Sequence, residues 1–132
     1  MIVVDASAMM EVLLNRPSGE RVAHRLLDPR EALHVPHLID LEVAQALRRY
    51  QAAGEMSPQR ARQALQAFVQ MPLERHPHWP FLDRIWELRR NITAYDAAYV
   101  ALAEALDAPL LTCDRALARA PGGHAVVELI EG

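Results

Sequence analysis

The sequence predicts an α/β fold organised around a parallel sheet, and three observations predict it. Short apolar runs at residues 2–4, 33–35 and 110–112 alternate with longer stretches of helical periodicity, as expected of βα units. Alanine (22) and leucine (18) dominate the apolar residues while aromatics make up 5%, a composition that favours helices over an all-β sandwich. The 132-residue length suits one domain spanning residues 1–132, with neither repeat nor linker to divide it.

Each element has a local reason. Ile2-Val3-Val4 reads as a buried strand, and residues 6–15 as a helix closed by Arg16-Pro17. A second helix, 19–27, stops at Asp28-Pro29, because the residue before proline is biased away from helix. Leu33-His34-Val35 is a weak strand. Residues 37–53 form a long helix ending at Gly54, with Ile39, Val43, Ala46, Leu47 and Tyr50 as its apolar stripe. Ser57-Pro58 starts the next helix, with a hydroxyl cap and proline at the first position, running to about residue 70. Residues 73–76 form a short strand. Residues 79–90 read as a helix with Trp79, Leu82 and Trp86 on one face. Thr93 caps a helix over 94–106, followed by the strand 110–112, a short helix at 114–119 closed by Pro121-Gly122-Gly123, and a last strand at 125–128.

Composition narrows the function classes. No apolar run approaches the roughly 18 residues of a membrane span, and residues 1–5 lack a basic leader and meet a carboxylate at once. A cytoplasmic protein with no membrane partner is expected. The single cysteine, Cys113, cannot form an internal disulfide or a cysteine-based zinc finger, and it suits a small buried position. A net charge of −3 argues against a basic nucleic-acid coat. It leaves open nucleic acid reached through a metal held by clustered acids.

Four carboxylates occupy unusual places. Asp5 follows the first strand, Asp114 follows 110–112 after one residue, Asp96 lies in the first turn of a helix, and Glu42 lies in the middle of the long helix. Singly, Asp5 and Asp114 suit helix N-caps, Asp96 suits the positive helix terminus, and Glu42 suits a surface pair with a nearby arginine. Together they say more. In open α/β sheets ligands bind beyond the carboxyl ends of strands, at the switch point. If the strands before Asp5 and Asp114 are neighbours, the two carboxylates converge there. Such oxygen donors suit a hard divalent cation.

The six histidines show no comparable organisation. His34 and His37 flank Val35-Pro36, and His76 and His78 flank Pro77, without the i, i+4 spacing of a helical zinc pair. They read as surface-loop residues. Arg48-Arg49, Arg89-Arg90, Arg115 and Arg119 suit solvated helix faces, or an arginine rim for phosphate around the acids. Without the four acids the formal charge of −3 becomes +1. Nucleic-acid binding would then depend on metal.

Four segments resemble the motifs of the PIN domain. Val4-Asp5-Ala6-Ser7-Ala8 is similar to its opening, and Leu41-Glu42-Val43-Ala44-Gln45-Ala46-Leu47-Arg48-Arg49 to its Glu-bearing helix. Thr93-Ala94-Tyr95-Asp96-Ala97-Ala98-Tyr99-Val100-Ala101-Leu102-Ala103-Glu104 resembles the third acidic motif, and Pro109-Leu110-Leu111-Thr112-Cys113-Asp114-Arg115-Ala116-Leu117 the fourth. They occur in order across nearly the whole chain. The short length is similar to the VapC toxins of type II toxin–antitoxin systems.

The resemblance implies a five-stranded parallel sheet flanked by helices. It implies an endoribonuclease dependent on Mg²⁺ or Mn²⁺, a homodimer, and a small antitoxin partner covering the active groove. By motif, Asp5, Glu42, Asp96 and Asp114 would be the catalytic metal-binding acids, and Ser7 and Thr112 supporting hydroxyls. Arg48, Arg49, Arg89, Arg90 and Arg115 would form the RNA rim. One departure is Gln45, where the family often has asparagine three residues after the glutamate. The same amide then sits on a longer arm. Asp40, two residues from Glu42, falls on a different helix face and is left out of the site.

Two other classes compete. A non-catalytic binding module would keep the fold and use Trp79 and Trp86, but the four acids argue against a degenerate site. A phosphotransfer enzyme or receiver domain would use an aspartyl nucleophile or phosphoacceptor. Asp5-Ala6-Ser7 lacks the second aspartate of such a motif, and the chain has no lysine to pair with an aspartyl phosphate.

Overall fold

A computed structural model describes residues 1–131. The strands are β1 (Ile2–Val4), β2 (Leu33–Pro36), β3 (Leu73–His76), β4 (Leu110–Thr112) and β5 (Val127–Leu129). The helices are α1 (Ala6–Leu13), α2 (Gly19–Leu26), α3 (Ile39–Ala52), α4 (Pro58–Val69), α5 (Leu82–Glu87), α6 (Ala94–Leu106) and α7 (Arg115–Arg119). All strand pairs are parallel, in the order β3-β2-β1-β4-β5.

The chain winds from β1 outward to β3, then crosses to β4 and β5 on the other side of β1. Helices α1–α4 pack against one another, and α5 packs against α6, the grouping that right-handed crossovers require when the chain reverses its winding after β3. The reversal of winding lies between β1 and β4. Both strands are wholly buried, which explains why they read as continuous apolar runs. Helix α6 crosses β1, β2 and β4, and Ala97–Ala103 is buried without interruption. Its small residues let the helix lie close on the sheet.

Caps fix the helix starts. Ser57 accepts from the Arg60 amide and Thr93 from the Asp96 amide. Gly19 is required by a close approach, since a Cβ there would lie 2.4 Å from the Glu11 carbonyl oxygen. It lets α2 turn tightly against α1.

Four expectations need correction. Residues 79–90 are not one helix. A 3₁₀ turn at Trp79–Phe81 precedes the short α5. Pro80 sits in that opening turn, and Ile85 and Leu88 take the inward face. Trp79 and Trp86 point outward, 71% and 67% exposed. The last strand lies at Val127–Leu129, later than 125–128, after a loop in which Gly122 adopts φ +94°. His34 and His76 are not surface-loop residues. They stand in β2 and β3, and His34 is buried. The strand pairing that decides this is a tertiary fact. Cys113 is half-buried rather than fully enclosed.

No helix among the described residues is long and apolar enough to cross a membrane.

Candidate active site

The four acids sit at four helix N-termini. Asp5 caps α1 and Asp114 caps α7. Glu42 and Asp96 lie in the first turns of α3 and α6. Glu42 is therefore not mid-helix as the periodicity suggested, because α3 starts only at Ile39. Helix N-termini carry partial positive charge and unpaired amides, so the capping and site readings describe the same carboxylates.

Asp5 stands where the winding reverses. β1 pairs with β4, and the Asp5 amide donates to the Leu111 carbonyl at 3.1 Å. Its carboxylate is held from three directions. Oδ1 accepts from the Ser7 hydroxyl at 2.7 Å and the Ala8 amide at 2.9 Å, and Oδ2 accepts from the Thr112 hydroxyl at 2.5 Å. Ser7 and Thr112 are 3.2 Å apart, Ser7 Oγ accepts from the Cys113 amide, and Thr112 Oγ1 accepts from the Asp114 amide. The two expected hydroxyls thus tie β1 to β4 and fix Asp5. A carboxylate offers about four lone-pair directions. Three are used here, leaving one on Oδ2.

Asp114 and Glu42 are each held by one oxygen. Asp114 Oδ1 accepts from the amides of Ala116 and Leu117. Glu42 Oε1 accepts from the Tyr99 hydroxyl at 2.6 Å. Asp114 Oδ2 and Glu42 Oε2 have no hydrogen-bond partner among the described residues. Tyr99 has no role in the sequence reading, although it lies three residues after Asp96 and hence on the same face of α6. That spacing is the signal that could have found it. Among the described residues Glu42 pairs with no arginine, and the extra acid Asp40 turns away to Arg75 on β3.

The charges interact. Burial pushes the Asp5 carboxyl above its ordinary range, against the lowering effect of Thr112, Ala8 and Ser7, and the Asp96 charge adds to the rise. Burial also raises Glu42, helped by Asp96 and Asp5 and opposed by the Tyr99 hydrogen bond. Burial, then the neighbouring Asp114 charge, raises Asp96. The Asp96 charge thus reaches Asp5 and Glu42, that of Asp5 reaches Glu42, and that of Asp114 reaches Asp96. They do not crowd further. Among the described residues, the group of three metal-ligating side chains with all ligand atoms within 4.8 Å is a different one, His34, Glu74 and His76.

This donor set fits a hard divalent cation. It offers only oxygens, with free lone pairs directed away from the anchoring bonds, and a local excess of negative charge that a cation would relieve. The arginines are less uniformly placed. Arg49 lies on nearly the same helical row as Glu42, seven residues on, whereas Arg48 lines a groove between α3 and α4. Arg89 and Arg90 are exposed beyond α5, with Arg89 stacked over Trp86 at 4.6 Å. Arg115 pairs with Glu131 at 2.5 Å.

Beside the acids lies an apolar groove of about 300 Å³, lined by Leu38, Leu41, Leu82, Ile85, Tyr95 and Ala98. Leu41 and Tyr95 are 75% and 63% exposed and immediately precede Glu42 and Asp96.

Comparison with known proteins agrees with this arrangement. The PIN domain family matches residues 2–123. Ribonuclease VapC1 of Mycobacterium tuberculosis is 45% identical over 130 residues, covering 97% of this chain and 96% of that protein. VapC ribonuclease Mb0985 of Mycobacterium bovis is 47% identical over 114 residues, 86% of each chain. VapBC2 from Rickettsia felis, solved with a DNA fragment from its promoter, shares the fold with a TM-score of 0.72 at 16% identity, covering 99% of this chain and 100% of that one. With the match spanning nearly the whole sheet and all four acids, the chain belongs to the PIN domain family, among its VapC members.

Proposed function

We propose that this chain is a metal-dependent endoribonuclease acting as the toxin of a toxin–antitoxin pair. The observation that supports the reading is that Asp5 stands where the winding of the sheet reverses and shares charge interactions with Glu42 and Asp96, and Asp96 with Asp114. The ribonuclease names of the similar VapC proteins support it.

Asp5, through Oδ2, would be the central ligand for Mg²⁺ or Mn²⁺, with Asp96 and Asp114 completing the set. When bound, the cation supplies electrostatic stabilisation of the charge that builds on a scissile phosphate. Glu42, held at Oε1 by Tyr99, keeps Oε2 free to orient the attacking water and take its proton. Its raised pKa makes it a better base near neutrality than an ordinary carboxylate. The new P–O bond forms as the bond to the leaving oxygen breaks, and that oxygen takes a proton from solvent. Arg49, with Arg48, Arg89, Arg90 and Arg115 around it, would hold flanking phosphates. Single-stranded loops would supply the reactive backbone.

The apolar groove supports the antitoxin partner. A short amphipathic helix could seat its apolar face between Leu41 and Leu82 and place a basic side chain against the acids. We also propose a homodimer, checked by cross-linking the isolated protein. A strict monomer at high concentration would refute it.

The deciding experiment is cleavage of a structured RNA mixture with Mg²⁺ or Mn²⁺, with EDTA, and with Asp5→Asn or Asp96→Asn. Cleavage that needs both metal and carboxylates supports the enzyme. Absence of both cleavage and metal binding moves the reading to a non-catalytic binding module of the same fold.

A further inference from the structure

A second group of ligands lies elsewhere on the sheet. β2 and β3 are parallel, with His34 opposite Glu74 and Pro36 opposite His76. Side chains alternate along a strand, so Glu74 and His76 share a face of β3, and His34 meets them from β2. His34 Nδ1 lies 2.8 Å from His76 Nε2 and 3.4 Å from Glu74 Oε2. The three ligand atoms all fall within 4.8 Å of one another. Arg75, pointing the other way, is taken by Asp40.

The 2.8 Å contact between ring nitrogens requires one of them to accept, so at least one imidazole is neutral and offers a lone pair. A zinc ion holds imidazole nitrogens at about 2.0–2.1 Å in a tetrahedron, which places ligand atoms roughly 3.4 Å apart. The His34–Glu74 separation already has that value, and the His34–His76 separation needs to open by about half an ångström. His34 is buried and fixed while His76 is half-buried and Glu74 is exposed, so the adjustable ligands are on the open side.

We propose that His34, Glu74 and His76 form a second metal site, of the nitrogen–oxygen class that takes Zn²⁺, distinct from the all-oxygen site at the switch of the sheet. Two histidines and one carboxylate suit a borderline-soft cation, whereas Mg²⁺ prefers oxygen alone. Solvent completes the coordination beside exposed Glu74. β3 is the edge strand, and the ion ties it to β2 through side chains as well as backbone. The proposal does not rest on the nuclease reading.

The test uses the whole chain stripped with chelator and titrated with Zn²⁺ by calorimetry and with Co²⁺ by visible absorption. The Asp96→Asn variant removes a ligand from the acidic site. One Zn²⁺ per chain is expected, unchanged in Asp96→Asn, with a rise in Tm and the intense Co²⁺ bands of four-coordination. His76→Gln, on the half-buried ligand, should weaken Zn²⁺ binding by at least about tenfold to a hundredfold. Glu74→Gln tests the exposed ligand without disturbing the core. No Zn²⁺ binding, or binding that survives His76→Gln and falls in Asp96→Asn, overturns the proposal. If His76→Gln loses Zn²⁺ yet still shows Mg²⁺-dependent RNA cleavage, the two sites are independent.

Discussion

The Tyr99 hydroxyl donates a 2.6 Å hydrogen bond to Glu42 Oε1, joining helices α6 and α3 across 57 residues of sequence. Tyr99 is 1% exposed, and burial with the adjacent Glu42 charge holds its phenol protonated far above its ordinary range. It is therefore a permanent donor. The half-exposed carboxylate is fixed by a rigid group that cannot itself ionise.

Tyr99→Phe should keep the fold and slow cleavage. A hydrogen bond to a charged group is worth about 1.5–3 kcal/mol, so kcat should fall at least about tenfold with little change in KM. The Tyr99 bond lowers the Glu42 pKa. Its loss should move the acidic limb of the pH–rate profile to higher pH, a change that simple destabilisation would not produce.

Asp96→Asn should fold and lose at least about a hundredfold in cleavage, the cost typical of removing one preorganised charge. Circular dichroism and RNA cleavage on the same preparation check both halves. Full activity would remove Asp96 from the site.

The same variant reports on pH and metal. The folded carboxyls of Asp5, Glu42 and Asp96 lie above their ordinary values of 3.8, 4.5 and 3.8. The folded chain thus binds more protons than the unfolded chain between those values and the raised ones. Stability from these groups falls as pH rises through that window and stays low above it. Asp28, Glu31 and Glu104 are lowered by Arg30, Arg25 and Arg84, so their contribution has the opposite sign and is lost as pH falls. In chelator, the Tm advantage of Asp96→Asn over the native chain should therefore grow with pH and then level. Mg²⁺ should raise the native Tm above the window and not below it.

Gly19→Ala should destabilise the fold by about 1–3 kcal/mol, because the new Cβ meets backbone that cannot rotate away. Urea denaturation should show a lower midpoint with an unchanged slope.

Two arginine pairs should separate in energy. Arg84 grips half-buried Glu104 through two bonds, at 2.8 and 3.0 Å, and also donates to the Gly122 carbonyl at 2.9 Å. Arg30 pairs with Asp28 in the open, 88% exposed. Arg84→Met should cost about 2–4 kcal/mol by leaving a partly buried carboxylate unpaired. Arg30→Met should leave stability essentially unchanged. Equal effects in thermal denaturation would refute this ranking.

The sequence by itself determined the α/β class and the approximate places of the five strands, and it singled out four acids as candidates. Those are local facts. Ile2-Val3-Val4 and Leu110-Leu111-Thr112 can only be buried strands, and Asp5 follows the first directly and Asp114 the second after one residue. Capping chemistry likewise placed Ser57 and Thr93 to the residue. Only the tertiary structure decided which strands are neighbours. The pairing of β1 with β4 brings Asp5 under Thr112 across 107 residues, and the pairing of β2 with β3 turns two loop-like histidines into a cluster. It also decided that Trp79 and Trp86 face outward and that Tyr99 meets Glu42. Periodicity reports which residues share a face of one element. What that face meets depends on strand order and helix packing, which arise from contacts between segments far apart in the chain.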